Sequence, residues 1–195
     1  MAVSEVSICN QALAHIGAEA LIEALSENTE EARFCNIYYA STRDSLLRAH
    51  EWNFATRYVS LAKIGTAPTR WEYQYAYPAD ALNAIEIVNT VDADKIDFEI
   101  INDGASSRLI VTDQDDAELR YTSKITDPTV FDPGFVEILS WAIAYRIAEP
   151  ITGSSEKKSE AMRIYQAMYV SYAGRDADEG MEDPATNPSW LKARA

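Results

Sequence analysis

Between Phe135 and Ala148 the chain has almost no polar side: Phe135, Val136, Ile138, Leu139, Trp141, Ala142, Ile143, Ala144, Tyr145, Ile147 and Ala148 crowd fourteen positions. Asp132-Pro133 reads as its start, with the acid at the N-cap and proline at the first helical position, where a missing N–H costs nothing. Pro150 and Gly153 read as its stop. A helix that is apolar all round has to be covered all round. One of its sides is therefore expected to meet a neighbouring subunit, with Trp141 and Tyr145 as candidates. The unbroken run Trp141–Tyr145 is far short of the roughly 20 residues that span a bilayer, so no membrane partner is expected.

The other helices announce themselves by period and caps. Ser4 is a candidate N-cap, and Val6, Cys9, Leu13 and Ile16 follow at helical spacing until Gly17. A second helix starts near Asn28 or Thr29, with Glu30 and Glu31 at its positive end. Cys35, Tyr39, Thr42, Leu46 and Ala49 form its apolar line. After Gly153, Ser154 or Ser155 caps a last helix, whose stripe of Ala161, Ile164, Tyr165, Met168 and Tyr172 ends at Gly174.

From Thr56 the period becomes two. Tyr58–Ile64, Ala84–Val88, Asp97–Ile101, Ser107–Val111 and Glu118–Thr122 read as strands of one small antiparallel meander. Asp103-Gly104 supplies the positive φ of a tight hairpin. Between helix and strand stands His50-Glu-Trp-Asn-Phe54, where Trp52 and Phe54 are expected to pack beneath the sheet as a structural anchor and set its angle. The resulting class is α+β, mainly α: a four-helix bundle with an inserted small antiparallel β-sheet and an extended C-terminal arm. The segments are 1–55, 56–132, 133–174 and 175–195. The last contains Pro184 and Pro188 and then an isolated Trp190-Leu191 pair. It reads as an arm that orders on a partner, or else as a frayed end resting on its own body.

Charge and chemistry narrow the function. A net charge of −14 argues against gripping a phosphate backbone. Two cysteines, Cys9 and Cys35, are too few for a disulfide framework and sit on apolar helix faces, as buried thiols would, with a bridge between them as the alternative. The first residues lack the basic-then-apolar order of a secretory signal, so synthesis in a reducing cytoplasm is expected. His15 and His50 have no companions at zinc-ligand spacing. Asp113-x-Asp115 and Asp176-x-Asp178 open like calcium loops but lack the later glycine and glutamate, and read as solvated acidic turns. Gly153-Ser-Ser-Glu-Lys157 lacks the order of a phosphate loop, and no serine lies in a nucleophile elbow. No metal, cofactor or catalytic residue is expected.

Three stretches carry a resemblance: "ICNQALAHIGA", "LLRAHEWNFA" with "YQYAYPADAL", and "LRYTSKITDPTVFDPGFVEILSWAIAYRIAEPITGSSEKKSEAMRIYQ" followed by "AGRDADEG". In order and spacing the chain resembles the head-to-tail adaptors of tailed bacteriophages, the group known as tail tubular protein A and related tail accessory factors. The likeness covers nearly the whole chain. It implies a helical bundle with a β-rich insertion, assembled as a closed ring of roughly twelve copies beneath the portal protein. Such a ring extends the DNA channel, retains packaged DNA and offers a platform for a downstream tail (nozzle) protein, and DNA passes through without specific binding. The location implied is the virion neck or tail, after synthesis in the host cytoplasm. In this family the C-terminal segment reaches the portal, a role that falls here to Trp190, Leu191, Lys192 and Arg194. The alternative is a tail-associated cell-wall glycan hydrolase, which needs two carboxylates held about 5–9 Å apart across a cleft.

Overall fold

A computed structural model describes residues 3–88, 95–104 and 107–180. Among them lie four helices, α1 (Glu5–His15), α2 (Glu30–Ala49), α3 (Pro133–Thr152) and α4 (Ser155–Gly180). Between the helix pairs lie β1 (Thr56–Ser60), β2 (Tyr73–Ala76), β3 (Ala81–Ile87), β4 (Phe98–Asn102), β5 (Arg108–Thr112) and β6 (Glu118–Ser123).

Local chemistry sets the helix ends. Ser4 and Ser7 form a reciprocal capping box, each hydroxyl accepting from the other's backbone N–H at 3.1 and 2.8 Å. Thr29 caps α2 by accepting from the Ala32 N–H at 3.2 Å. The Asp132 carboxylate accepts from the Gly134 and Phe135 N–H groups at 2.7 and 3.3 Å, so α3 starts where its sequence asks it to. It runs through Pro150 and ends at Gly153, whose φ of 65° only glycine adopts cheaply.

The four-helix bundle with a single inserted sheet is not what forms. α3 lies in the middle, and α1, α2 and α4 each pack on it. Phe135, Ile138, Leu139, Ile143, Ala144 and Ile147 have no exposed surface. In a bundle every helix takes a corner and turns one side to water. A helix with almost no polar side cannot, so α3 becomes an axle on which three helices pack, with Tyr145 and Arg146 left half-covered. The chain's own helices thus do much of the covering that a neighbouring subunit was expected to do.

The insertion forms two three-stranded antiparallel sheets, ordered β1-β6-β3 and β2-β5-β4. The expected hairpin is present, pairing Phe98↔Thr112 through Asn102↔Arg108 beside Gly104. The meander then breaks, because β6 pairs with β1 and β3 instead of β5. Leu109 through Thr112 are all buried, so β5 needs a neighbour on both edges. The second neighbour is β2, a strand the period-two pattern does not reveal. β6, with Leu119 and Tyr121 inward, becomes the centre of the other sheet. Tyr75 and Ile110 from one sheet meet Ile87, Leu119 and Tyr121 from the other in a second core.

At the C-terminus α4 continues past Gly174 to Gly180, so residues 175–180 are helix where an extended arm is expected. Trp190, Leu191, Lys192 and Arg194 lie outside the described residues.

Deleting side-chain volume from the axle leaves a cavity that three helices cannot all close. Leu139→Ala is expected to cost about 2–5 kcal/mol in urea denaturation. Leu21→Ala, at a side chain 61% exposed, should stay within about 0.5 kcal/mol of the parent.

Candidate functional site

The seam between helices and sheets is built from aromatic rings that the sequence brings from far apart. Trp52 is 1% exposed, and its indole N–H donates to the Leu46 carbonyl at 2.9 Å. That bond satisfies the polar edge a buried tryptophan would otherwise strand. Its ring stands edge-on to Phe135 at 5.3 Å and to Tyr169 at 6.5 Å. Phe54 packs on Phe135 at 5.0 Å and on Phe131 at 6.0 Å. Residues 52–54 are where the chain leaves the helices, and 131–135 are where it returns. One aromatic knot therefore pins both ends of the insertion. Trp52 and Phe54 anchor into the helical core, not beneath a sheet as the sequence suggests.

The end of α4 is fastened to this knot. Asp176 accepts from His50 Nε2 at 3.1 Å and from the Asn53 backbone N–H at 3.2 Å. Its own carbonyl accepts from Asn53 Nδ2 at 2.6 Å. Nearby, a Cβ added to Gly134 would lie 2.4 Å from the Tyr172 ring, so the absent side chain is what lets α4 close down here. Neither Asp176 nor Gly134 stands out in the sequence. Asp176 reads there as part of a solvated turn, but the carboxylate is instead held by partners from the other end of the fold.

The segment it holds is a poor helix by itself. Gly174 and Gly180 bracket it, and Asp176 sits near the negative end of the helix dipole. Helix propensity alone says Asp176→Ala should slow amide exchange across residues 173–180. The contacts to His50 and Asn53 say the reverse. Exchange there is expected to rise about tenfold or more, with α3 unchanged, when followed by hydrogen–deuterium exchange.

Tyr145 lies in a groove. α2 and α4 both pack on α3 but barely on each other, apart from the Tyr169 hydroxyl that donates to the Ala49 carbonyl at 2.8 Å. Between them Tyr145 stacks on Tyr165 at 5.7 Å. The Arg146 guanidinium lies 6.0 Å from the Tyr38 ring and 5.7 Å from that of Tyr145. Arg146 Nε is buried and has no hydrogen-bond partner among the described residues. Trp141, one turn earlier on α3, has another neighbour, its ring stacked on His15 at 3.7 Å and nearly parallel to it.

The remaining candidates have structural partners. Ser140 donates its hydroxyl proton to the Glu137 carbonyl at 2.7 Å, which leaves its oxygen to accept from His15 Nε2–H at 3.0 Å. Cys9 and Cys35 are buried free thiols. The hydrogen bond to Cys35, and then burial, push the Cys9 thiol up. The Lys63 ammonium binds Asp115, and that bond holds the carboxyl below its usual range. An open cleft of about 580 Å³ beside β1 is lined by two carboxylates, Asp80 and Asp127. Asp80 already accepts from the Tyr121 and Ser123 hydroxyls, and Asp127 from Thr129. Among the described residues no group of three His, Cys, Asp or Glu side chains is placed to hold a metal ion. No helix among them is long and apolar enough to cross a membrane.

Burial lowers His15 below its ordinary 6.5, and the nearby Glu137 charge works the other way. A depressed histidine binds its proton less readily folded than unfolded. Its contribution to stability is therefore full above 6.5 and declines as pH falls from there towards the folded value. His15→Gln should flatten that part of the stability profile between about pH 7 and pH 5, measured by urea denaturation.

In comparisons with known proteins, no family model matches the sequence and no curated protein matches it.

Proposed function

We propose that this chain is a structural subunit of a phage virion neck, a head-to-tail adaptor and not an enzyme. About twelve copies form a closed ring beneath the portal protein. The ring extends the DNA channel, helps retain the packaged genome and receives a downstream tail (nozzle) protein. The sequence resemblance supplies the identity of the partners. The observation that best supports a docking role is the fastening of α4 by Asp176, which fixes the point from which residues 181–195 depart. A tether works only if its base is stationary, because flexibility there dilutes the effective concentration of its tip.

The charge balance suits the same role. A channel wall drawn from a chain of net charge −14 repels phosphates and lets a duplex slide without sticking. The copies around a portal need only weak individual contacts, since the first attachment makes the rest effectively intramolecular. The free chain is accordingly monomeric at micromolar concentration and closes into rings on the portal.

The test is to mix the protein with purified portal rings and image the product. The full chain is expected to add a layer of density on the tail-facing side of the portal, and a chain lacking residues 181–195 should leave the portal bare. Attachment by the truncated chain would remove the assigned role of Trp190, Leu191, Lys192 and Arg194. Clearing of a peptidoglycan gel by the monomer would replace the adaptor reading with the hydrolase.

A further inference from the structure

Two surfaces of this chain are complementary to each other and do not meet within one copy, since Leu21 stays exposed. The first is the groove between α2 and α4. Its floor is Tyr145 and Arg146 of α3, and Tyr38 and Tyr165 stand on its walls. All four are half-buried. Tyrosine and arginine are the residues that concentrate binding energy at protein interfaces, because they bring large area with few rotors and a polar end. The walls are also unusual for this chain. It holds 31 acids, yet residues 32–43 of α2 and 161–175 of α4 contain none. Glu149, further along α3, is already paired with Lys158 at 2.6 Å. Arg146 brings a positive charge whose buried Nε is unsatisfied among the described residues.

The second surface is the connection between α1 and α2. Asn10 clamps its middle: the side-chain amide donates to the Ile22 carbonyl and accepts from the Ile22 N–H, both at 2.9 Å. The Glu27 carboxylate accepts from the N–H groups of Glu23 and Ala24. With Ile22 drawn into the core at 4% exposed, Leu21 is turned outward at 61%. Glu19 and Glu23 flank it, exposed, and neither side-chain carboxylate is paired among the described residues. The result is a preorganised apolar knob between two negative charges.

We propose that the α2–α4 groove seats the Glu19–Glu23 knob of a second copy of this chain, with Leu21 among the tyrosines and a glutamate on Arg146. The choice of occupant rests on charge. An aromatic groove with Arg146 in its floor, no acid on its walls and its one neighbouring carboxylate already paired selects an acidic partner on a strongly acidic protein, and the chain itself presents a rigid one. The knob follows α1, whose last residue, His15, stacks on Trp141 and not on the groove residues. The contact is therefore between unlike patches, and such a contact propagates from copy to copy until it closes. This deepens the ring proposed above, and rests on it, by naming its subunit contact. It also gives Tyr145 the interface role expected from sequence, and leaves Trp141 to His15.

Sedimentation velocity of the full chain, from micromolar to millimolar at low ionic strength, tests it. Self-association is expected at the upper end. Arg146→Glu, and separately Glu19→Lys with Glu23→Lys, should each weaken it by about tenfold or more. Mixing the two variants, or combining all three changes in one chain, should restore it. Leu21→Ala, at an exposed side chain that the fold does not need, should weaken it without changing the charge. Circular dichroism confirms that each variant folds. A chain that stays monomeric throughout, or association indifferent to Arg146 and Leu21, overturns the contact. Failure of the adaptor reading looks different: the charge swap behaves as described, and nothing attaches to portal rings.

Discussion

Everything in this fold follows from the need to keep α3 dry. Burial of each large apolar side chain contributes on the order of 1.5–3 kcal/mol, and α3 offers such side chains in every direction. Two covering helices would leave a side wet, so α1, α2 and α4 all converge on it, and each needs only one apolar stripe of its own. α4 illustrates the economy of the arrangement. Only Ala161 on it is fully buried among the described side chains, while Tyr165, Met168, Tyr169 and Tyr172 are half-covered. The outer side of a covering helix is then free to carry whatever contacts function requires.

The same constraint explains why the β-insertion needs a core of its own. The apolar surface of α3 is already consumed by helices, so the strands cannot borrow it. They close on themselves as two sheets around Tyr75, Ile110, Leu119 and Tyr121. Irregularities in β3 between Ala81 and Asn83, and between Ala84 and Glu86, let it bend along β6. The aromatic knot of Trp52, Phe54, Phe131 and Phe135 marks the junction of the helical and sheet units, which also touch through Leu82 of β3 on the helical core and the Lys124–Asp44 ion pair at 2.8 Å.

Features that depend on neighbours along the chain are legible in the sequence. The Ser4, Thr29 and Asp132 caps, the all-apolar α3 and the Asp103-Gly104 hairpin are of this kind, since the physics that decides them spans a few residues. Features decided by distant partners are not. β2 carries a mixed pattern, Tyr-Gln-Tyr-Ala, and is a strand only because β5 has a free edge to offer. A helix end at Gly174 is sound local reasoning overruled by His50 and Asn53, more than a hundred residues upstream. The bundle expectation fails for another reason. Helix count is legible, but which helix sits in the centre depends on comparing all four. At the candidate site, Tyr145 stands out from α3 alone, whereas Arg146 acquires meaning only once Tyr38 and Tyr165 are seen around it.

The exit and return of the insertion lie side by side, with the Phe54 and Phe131 rings 6.0 Å apart. A chain that departs from and comes back to almost one place imposes little loop-closure demand on its host. The helical part could thus exchange its β-cargo for another of different size, or shed it for a short bridge, without re-solving its own packing. Diversification in molecules built this way would be modular: the hub is held constant by α3, and whatever hangs from the rivet is open to replacement.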